Sequence, residues 1–355
     1  MHAATFFDGE GWRDGIIDRD GERMRLRAEP PARDLPRLDG VVIGGFTDHH
    51  VHLQLIDHTL LASSTLGRVV DLGADPAVIE ALSRASSPHD FGDLRHTIPD
   101  SADVRRADAG IPEFRRTDAS HRVQVDFAGA FLTPVGGYPS DRDWASTGSF
   151  REITDAETAR AAVTAMADAG ASCIKVASNA TAGPVFDDDL FRTIVDAASA
   201  RGLSVVAHAE GPGQAQRAAR LGAARLAHAP FTERLTDDEI ARQAASVSWI
   251  STLAIHDADS DERATAVDNV RRFHAAGGMV LYGTDMGNGP TPVGLNPAEL
   301  AALREAGIAG DDLLRALAPQ DPLDPAALLL RLPGTAADPT LARPPADQRR
   351  SEGMT

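Results

Sequence analysis

Residues 203–228 read LSVVAHAEGPGQAQRAARLGAARLAH and contain one complete strand–helix–strand unit. The apolar run Leu203–His208 predicts a buried strand, Gln214–Leu221 a helix, and Ala223–His228 the next strand. Gly222 separates the helix from that second strand. Such units place neighbouring strands parallel and pack the helices against them, so this stretch indicates an α/β protein.

The same unit recurs on both sides of this stretch. The eight predicted strands are Val41–Asp48, Arg68–Leu72, Arg122–Ala130, Gly170–Ala177, Leu203–His208, Ala223–His228, Val247–Leu253 and Met279–Asp285. Helices are predicted over Asp155–Ala169, Asp188–Ala200, Gln214–Leu221, Asp237–Ala245 and Glu262–Ala276, and after Pro297 and Gly310. Eight βα units over about 250 residues predict a (β/α)8 TIM barrel, whose active sites lie at the C-terminal ends of the strands.

Composition and charge exclude several classes of protein. The 355 residues include 35 Lys and Arg against 52 Asp and Glu, a net charge of −17 that repels nucleic acid and anionic membranes. No apolar run approaches the roughly 18 residues of a membrane helix. Cys173 is the only cysteine and the N-terminus lacks a secretory pattern. A cytoplasmic protein with a small-molecule substrate is therefore expected.

Lys175 is the only lysine in the chain, beside 34 arginines. Either residue type can carry a surface charge, but an amine that must lose its proton cannot be arginine. Lys175 also lies within the apolar run of the fourth predicted strand. These two facts predict a chemical role for Lys175, against the alternative that one lysine survived by chance on a solvated face.

Polar side chains lie at the ends of five predicted strands. His50 and His52 follow the first strand, and two residues apart on an extended chain they project to the same side. Such paired imidazoles indicate a metal site. The six candidate ligands are His50, His52, Lys175, His208, His228 and Asp285. A single buried histidine is more often a hydrogen-bonded core residue. The metal site is predicted because all six candidates lie at or near the ends of predicted strands.

Five stretches, in this order, resemble the amidohydrolase superfamily: GGFTDHHVHL, IKVAS, VVAHAEG, RLAHAPF and LYGTDMG. The resemblance covers about residues 40–318. With the run GAFLTPVGGYP, the chain is most similar to the imidazolonepropionase and Xaa-Pro dipeptidase branch.

The resemblance implies a role for each candidate ligand. His50 and His52 would bind the more buried metal, and a carboxylated Lys175 would bridge two metals. His208 and His228 would hold the second metal. Asp285 would bind the first metal and act as the general base.

The chemistry of these residue types agrees with those roles. An uncharged lysine amine adds carbon dioxide, and burial beside cations lowers a lysine pKa enough to allow it. The carbamate can bridge two divalent ions roughly 3.5 to 4 Å apart, where water ionises near neutral pH. The expected cofactors are two divalent ions, zinc first and manganese or iron as alternatives, with carbon dioxide bound as the lysine carbamate.

The predicted activity is hydrolysis of a C–N bond in a small amide, cyclic amide or dipeptide-like substrate by a metal-bound hydroxide. Hydrolysis of an ester, lactone or phosphotriester on the same binuclear site is the alternative. A mononuclear deaminase and a lyase that forms a Schiff base at Lys175 are further alternatives. A non-catalytic binding protein would leave the shared position of the ligands unexplained.

Three residues in loops after the strands are candidate substrate contacts: Tyr138, His256 and Asn288. The Tyr138 phenol is also a candidate catalytic donor to a developing oxyanion. Asp48 is expected to orient the first strand or a ligand. Glu210 either resembles the HAE of cyclic-amidase relatives or caps the next helix, and it stays outside the predicted site.

The ends of the chain depart from the resemblance. Relatives carry a β-sandwich built from both termini, so residues 1–40 are predicted to form a reduced accessory segment. The barrel is predicted over 41–318 and a C-terminal segment over 319–355, with a disordered end. The polar insertion Ser86–Ser120 is predicted to be a lid or an oligomer contact. A homo-oligomer is a hypothesis that follows from the reduced accessory region.

Overall fold

The computed structural model describes residues 1–21, 23–86 and 122–345. Its strands are β1 (His2–Phe7), β2 (Trp12–Asp20), β3 (Arg23–Arg27), β4 (Arg37–Gly44), β5 (Phe46–Val51), β6 (Leu66–Asp71), β7 (Gln124–Phe127), β8 (Phe131–Pro134), β9 (Phe150–Ile153), β10 (Cys173–Asn179), β11 (Ser204–Glu210), β12 (Arg225–Leu226), β13 (Ser248–Ile250), β14 (Val280–Leu281) and β15 (Leu329–Leu332). Its helices are α1 (Pro76–Ser86), α2 (Ala156–Asp168), α3 (Asp188–Ala200), α4 (Gln214–Arg220), α5 (Asp237–Ala244), α6 (Asp261–Ala275), α7 (Pro297–Glu305) and α8 (Asp311–Ala316).

Two predictions fall on parts of the chain outside these ranges. Beyond its first residue, the Ser86–Ser120 insertion lies outside the described residues, and so does the predicted disordered end from residue 346 onward. Within the described ranges, no helix combines the length and apolar character needed to cross a bilayer.

Both ends of the chain contribute to one five-stranded sheet, in the order β15-β4-β1-β2-β3. β4 runs parallel to β1, and the other neighbouring pairs are antiparallel. Phe6, Ile17, Val42 and Leu329 pack into its own apolar cluster. The strands of this sheet come from residues 2–44 and 329–332, and residue 40, where the sequence predicts a domain boundary, lies inside β4.

The remaining strands form two parallel sheets, ordered β5-β6-β7 and β14-β13-β12-β11-β10-β8-β9. Helices alternate with these strands along the chain, so the prediction of an α/β protein with parallel strands is confirmed. Backbone hydrogen bonds also join the two sheets. Ser172 N donates to Phe127 O at 2.8 Å, and His52 N donates to Met286 O at 2.7 Å.

The predicted first strand, Val41–Asp48, is wrong as a single element. The structure divides it between Gly44 and Phe46, so that β4 enters the five-stranded sheet and β5 enters the parallel sheet. The crossing brings backbones into close contact, and a Cβ at Gly44 would collide with the Gln320 carbonyl oxygen. Only glycine fits there.

The other strands begin and end at residues different from those predicted. The third predicted strand, Arg122–Ala130, is only Gln124–Phe127, and after Gly129 (φ +74°) the chain continues as β8. β9 was not predicted. The predicted strands Ala223–His228 and Met279–Asp285 are each only two residues long in the structure, as β12 (Arg225–Leu226) and β14 (Val280–Leu281). The predicted ligands His228 and Asp285 therefore lie just beyond their strands.

The predicted helices agree with their ranges to within about one residue, and side-chain caps mark where several of them begin, whereas α1 was not predicted. The Asp187 carboxylate accepts a hydrogen bond from Leu190 N at the start of α3. Asp155 with Thr158, and Thr236 with Glu239, form capping boxes at α2 and α5.

Candidate metal centre

His50 and His52, at the end of β5, approach the same carboxylate oxygen. Nε2 of His50 lies 3.2 Å from Oδ1 of Asp285, and Nε2 of His52 lies 3.1 Å from it. All three side chains are almost completely buried. Asp285 follows β14 with a φ of +54°, a left-handed conformation that a non-glycine residue rarely adopts.

Oδ1 of Asp285 has no hydrogen-bond partner within the described part of the chain, although it is buried. A buried carboxylate oxygen without a donor is costly. The Nε2 atoms of His50 and His52 face this oxygen from two sides. Their lone pairs would repel those of the oxygen unless the Nε2 atoms carry protons or all three atoms bind the same cation. A divalent cation bound by all three groups removes this conflict, so the residues present fit a metal.

In three of the candidate histidines, His50, His52 and His228, the second ring nitrogen is already engaged. Nδ1 of His50 lies 2.8 Å from Ala227 O, and Nδ1 of His228 lies 2.9 Å from Thr252 Oγ1. These contacts fix the rings with Nε2 available, as in protein metal sites. Burial lowers the pKa of both His50 and His228 well below the ordinary histidine value. A lowered pKa favours the neutral form of these two rings, which is the form that binds metals.

His228 lies within the same cluster. Its ring centroid is 4.8 Å from that of His50 and 4.9 Å from that of His208. Among the described residues, the ligand atoms of His50, His228 and Asp285 all lie within 4.8 Å of one another. The structure thus brings together residues separated by more than 230 positions in the sequence.

His208 has a partner that the sequence did not assign. Its Nε2 lies 3.1 Å from Oε2 of Glu210, which also accepts a 2.6 Å hydrogen bond from Asn179 Nδ2. The helix-cap alternative for Glu210 is wrong, because Gly213 precedes α4 and no side chain caps it. The HAE sequence was the signal for Glu210, whereas nothing in the sequence marked Asn179.

Lys175 lies on β10, opposite Val206 of β11, and is 1% exposed. Its Nζ is 5.6 Å from the centroid of the Phe131 ring. Burial lowers the pKa of Lys175 to about 8, and the Asp285 carboxylate only partly opposes that change. A substantial fraction of this amine is therefore uncharged at mildly alkaline pH. Its neighbour Cys173 belongs to a separate apolar cluster, and burial raises the pKa of that thiol to about 11.

The three predicted substrate contacts have different surroundings. The ring of Tyr138, half-buried, stacks on His208 at 5.0 Å between centroids, and burial raises the pKa of its phenol. His256, also half-buried, packs on Phe231 at 4.6 Å. Asn288 donates from Nδ2 to Asp285 Oδ2 at 2.9 Å, so it contacts the candidate base directly.

Asp48 helps to position the candidate ligands through hydrogen bonds to residues beside them. Its carboxylate accepts hydrogen bonds from His50 N at 3.0 Å and from Thr284 Oγ1 at 2.6 Å. These contacts link the end of β5 to the residue before Asp285. Burial raises the pKa of Asp48 to about 7.

No protein family and no curated protein matches the sequence, whereas many solved structures resemble the fold. A Xaa-Pro dipeptidase with bound methionine has a TM-score of 0.64 and 17% identity, over 89% of this chain and 85% of that one. A putative prolidase from Bifidobacterium longum has a TM-score of 0.63 and 20% identity, over 95% and 88%. The A. niger ochratoxinase has a TM-score of 0.63 and 13% identity, over 96% and 94%. The chain therefore has the fold of amidohydrolase-type enzymes.

Proposed function

We propose that this protein is a metal-dependent hydrolase that cleaves a C–N bond in a small amide, cyclic amide or dipeptide-like substrate. The convergence of His50 and His52 on the partnerless Oδ1 of Asp285, with His228 in the same cluster, carries the proposal. The fold shared with a Xaa-Pro dipeptidase and a prolidase favours an amide substrate over an ester. The site and the fold are independent observations that lead to the same reaction class.

The proposed scaffold is a closed (β/α)8 barrel. Its support is the set of hydrogen bonds that join the two parallel sheets on both sides, at Ser172 to Phe127 and at His52 to Met286. Further support is an apolar cluster with members from seven different strands or the residues that follow them: Val70, Leu72, Ala128, Cys173, Val206, Ala227, Ile250 and Leu281. In a barrel such inward-facing side chains fill the interior, and the site lies above them.

The proposed centre holds two divalent ions. His50, His52 and Asp285 would hold the first, His208 and His228 would hold the second, and a carboxylated Lys175 would supply ligand oxygens to both. Imidazole and carboxylate donors suit zinc, with manganese or iron as alternatives. Such ions polarise a carbonyl group and lower the pKa of water.

In this proposal Asp285 moves the proton. Although burial opposes it, the adjacent His50 and His52 hold the pKa of Asp285 well below its ordinary value. The ionised carboxylate accepts a proton from the attacking water and donates it to the leaving nitrogen. The hydrogen bond from Asn288 to Oδ2 fixes the plane of this carboxylate. The Tyr138 phenol keeps its proton at neutral pH and can donate to the developing oxyanion.

Metal content and hydrolysis measured on the same preparation test this function. The protein is prepared with bicarbonate and without chelator, and metals are counted by plasma mass spectrometry. We expect about two divalent ions per chain and cleavage of N-acyl amino acids or Xaa-Pro dipeptides that exceeds cleavage of matched esters. Ester cleavage alone would move the activity to the alternative on the same site. A protein that binds no metal after reconstitution would overturn the proposal, and borohydride trapping at Lys175 would then test the Schiff-base alternative.

A further inference from the structure

The partly exposed aromatic side chains are concentrated around the histidine cluster. Of the fifteen Phe, Tyr and Trp residues in the described ranges, ten are buried. The other five are Trp12, Tyr138, Trp144, Phe150 and Phe231. Three of these five, Tyr138, Trp144 and Phe231, each lie within 6.5 Å of the ring of a candidate metal ligand. These three side chains are partly exposed, so packing in the buried core does not explain why they lie beside the candidate ligands.

Two pairs of rings flank the candidate ligands. In the first pair, the Tyr138 and Trp144 rings lie 6.0 Å apart, with Tyr138 on His208 and Trp144 at 6.4 Å from His52. In the second pair, Phe231 and His256 lie 4.6 Å apart, with Phe231 at 6.5 Å from His228. We call these four side chains the aromatic wall.

The aromatic wall is assembled from three separate loops. Tyr138 and Trp144 follow β8, Phe231 follows β12, and His256 follows β13. The β8–β9 loop and two strand-to-helix loops, from β12 to α5 and from β13 to α6, thus bring rings to the same cluster of candidate ligands. Aromatic rings bind another ring through offset-stacked or edge contacts that a saturated group of the same size cannot make. They also contribute contact area with little loss of side-chain freedom.

From this arrangement we propose that the aromatic wall is a binding subsite for an aromatic ring of the substrate, so that the preferred substrates are amides with an aryl group on the acyl or amine side. The inference rests on the proposed hydrolase function and adds the substrate class to it. The ring lies against Tyr138 and Trp144 or against Phe231 and His256 while the scissile amide lies at the metal ligands.

A matched pair of amides tests the subsite by binding. The probes are N-acetylphenylalaninamide and N-acetylcyclohexylalaninamide, titrated into the metal-loaded full-length protein by calorimetry. The two differ only in the aromaticity of one ring. The saturated ring is the more apolar, so a subsite that recognised apolar surface alone would bind the cyclohexyl compound more tightly. We expect the phenyl compound to bind about three- to tenfold more tightly.

Variants identify the side chains that cause the preference. Trp144→Leu and Phe231→Leu are each expected to lower the ratio of phenyl to cyclohexyl affinity by about threefold. Tyr138→Phe keeps the ring and removes the hydroxyl, so it is expected to keep the binding preference while it lowers turnover. Trp12→Leu is the matched control, because Trp12 is partly exposed but packs on Phe7 in the five-stranded sheet. It should leave the preference unchanged.

Equal or tighter binding of the cyclohexyl compound by the unmodified protein would overturn the proposal, and this comparison does not depend on any variant. A full phenyl preference in both Trp144→Leu and Phe231→Leu would also overturn it. The hydrolase proposal is decided separately by metal content and C–N cleavage on the same preparation. A protein that binds metals and cleaves amides without a phenyl preference would contradict the subsite alone.

Discussion

Lys175 combines three properties that are rarely found in one side chain: it is the only lysine, it is almost completely buried, and burial lowers its pKa to about 8. A buried ammonium is costly unless it is paired. Carboxylation removes this cost, because it converts the cation into an anion that can bind cations. The side chain then becomes a ligand that matches its neighbours.

Carboxylation of Lys175 can be tested by carbon-13 nuclear magnetic resonance after incubation with labelled bicarbonate and metal. We expect one carbamate signal. It should weaken as the pH falls from about 8.5 to 6, because protonation below the lowered pKa removes the reactive amine. Lys175→Arg keeps a cation but cannot be carboxylated, so it should lose the signal, the second metal and activity. Two bound metals and full activity in Lys175→Arg would contradict the bridging role.

At the residue scale, the sequence predicted the ligand candidates and one supporting residue, Asp48, but missed other supports. His50, His52 and Asp285 were predictable because side chains at strand ends meet at one edge of parallel strands. Asn179 and Thr252 were not, because their roles depend on contacts with His208 and His228 that only the folded chain creates.

At the scale of elements, α7 supports the site from a distance. Glu299 on α7 is fully buried, and its Oε2 accepts a 2.7 Å hydrogen bond from Ala254 N. Ala254 lies in the turn that follows Thr252, whose hydroxyl contacts His228. Helix α7 thus holds the turn that orients a candidate metal ligand. Burial raises the pKa of Glu299 to about 7.

Glu299 therefore predicts a pH dependence of stability. Its pKa is higher in the folded than in the unfolded protein, so its contribution is intact below about pH 4.5 and is lost as the pH rises towards 7. Glu299→Gln retains an acceptor and does not ionise. Relative to the unmodified protein, its free energy of unfolding should increase between pH 5 and pH 8 by at most about 3 kcal/mol. Guanidinium denaturation at both pH values measures this difference.

The control for that experiment is Glu299→Ala, which removes the acceptor of Ala254 N. It should be destabilising at both pH values, by about 1 to 3 kcal/mol for the unsatisfied donor and more for the cavity. If Glu299→Gln and the unmodified protein differ by the same amount at pH 5 and pH 8, Glu299 is already ionised in the folded protein at pH 5.

Helices were predicted more accurately than strands, and the reason is local. A cap such as Asp187 or Thr236 lies within three residues of the group it satisfies, so the sequence itself marks where a helix begins. The division of the first predicted strand depends instead on the contact between Gly44 and Gln320. The end of a strand is set by partners that lie far away in the chain.

On the scale of the whole molecule, the candidate metal centre lies where the two parallel sheets meet. His50 and His52 come from the β5-β6-β7 sheet, whereas His228 and Asp285 follow strands of the larger sheet. A bound ion would therefore connect the two sheets. Ligands that bind only the folded protein stabilise it by mass action.

Metal removal is accordingly expected to lower the melting temperature. Saturation at 100 times the dissociation constant contributes about 2.7 kcal/mol, a difference of several degrees in thermal unfolding. Scanning calorimetry with and without a chelator measures the change, and added zinc should reverse it. His50→Ala, which removes a ligand of the first ion only, should show a smaller difference between the two conditions. Identical melting of the unmodified protein in both conditions would contradict a structural link through metal.

The five-stranded sheet has a consequence for how the protein is made. β4 leaves the ribosome early, but β15, its antiparallel neighbour, follows about 280 residues later. At roughly 5 to 20 residues per second, the β4 edge waits on the order of 15 to 60 s during synthesis. Throughout that interval its backbone donors and acceptors are open to other chains. The β4 edge therefore stays unpaired for longer than a strand in a βα unit, whose neighbour follows within a few tens of residues.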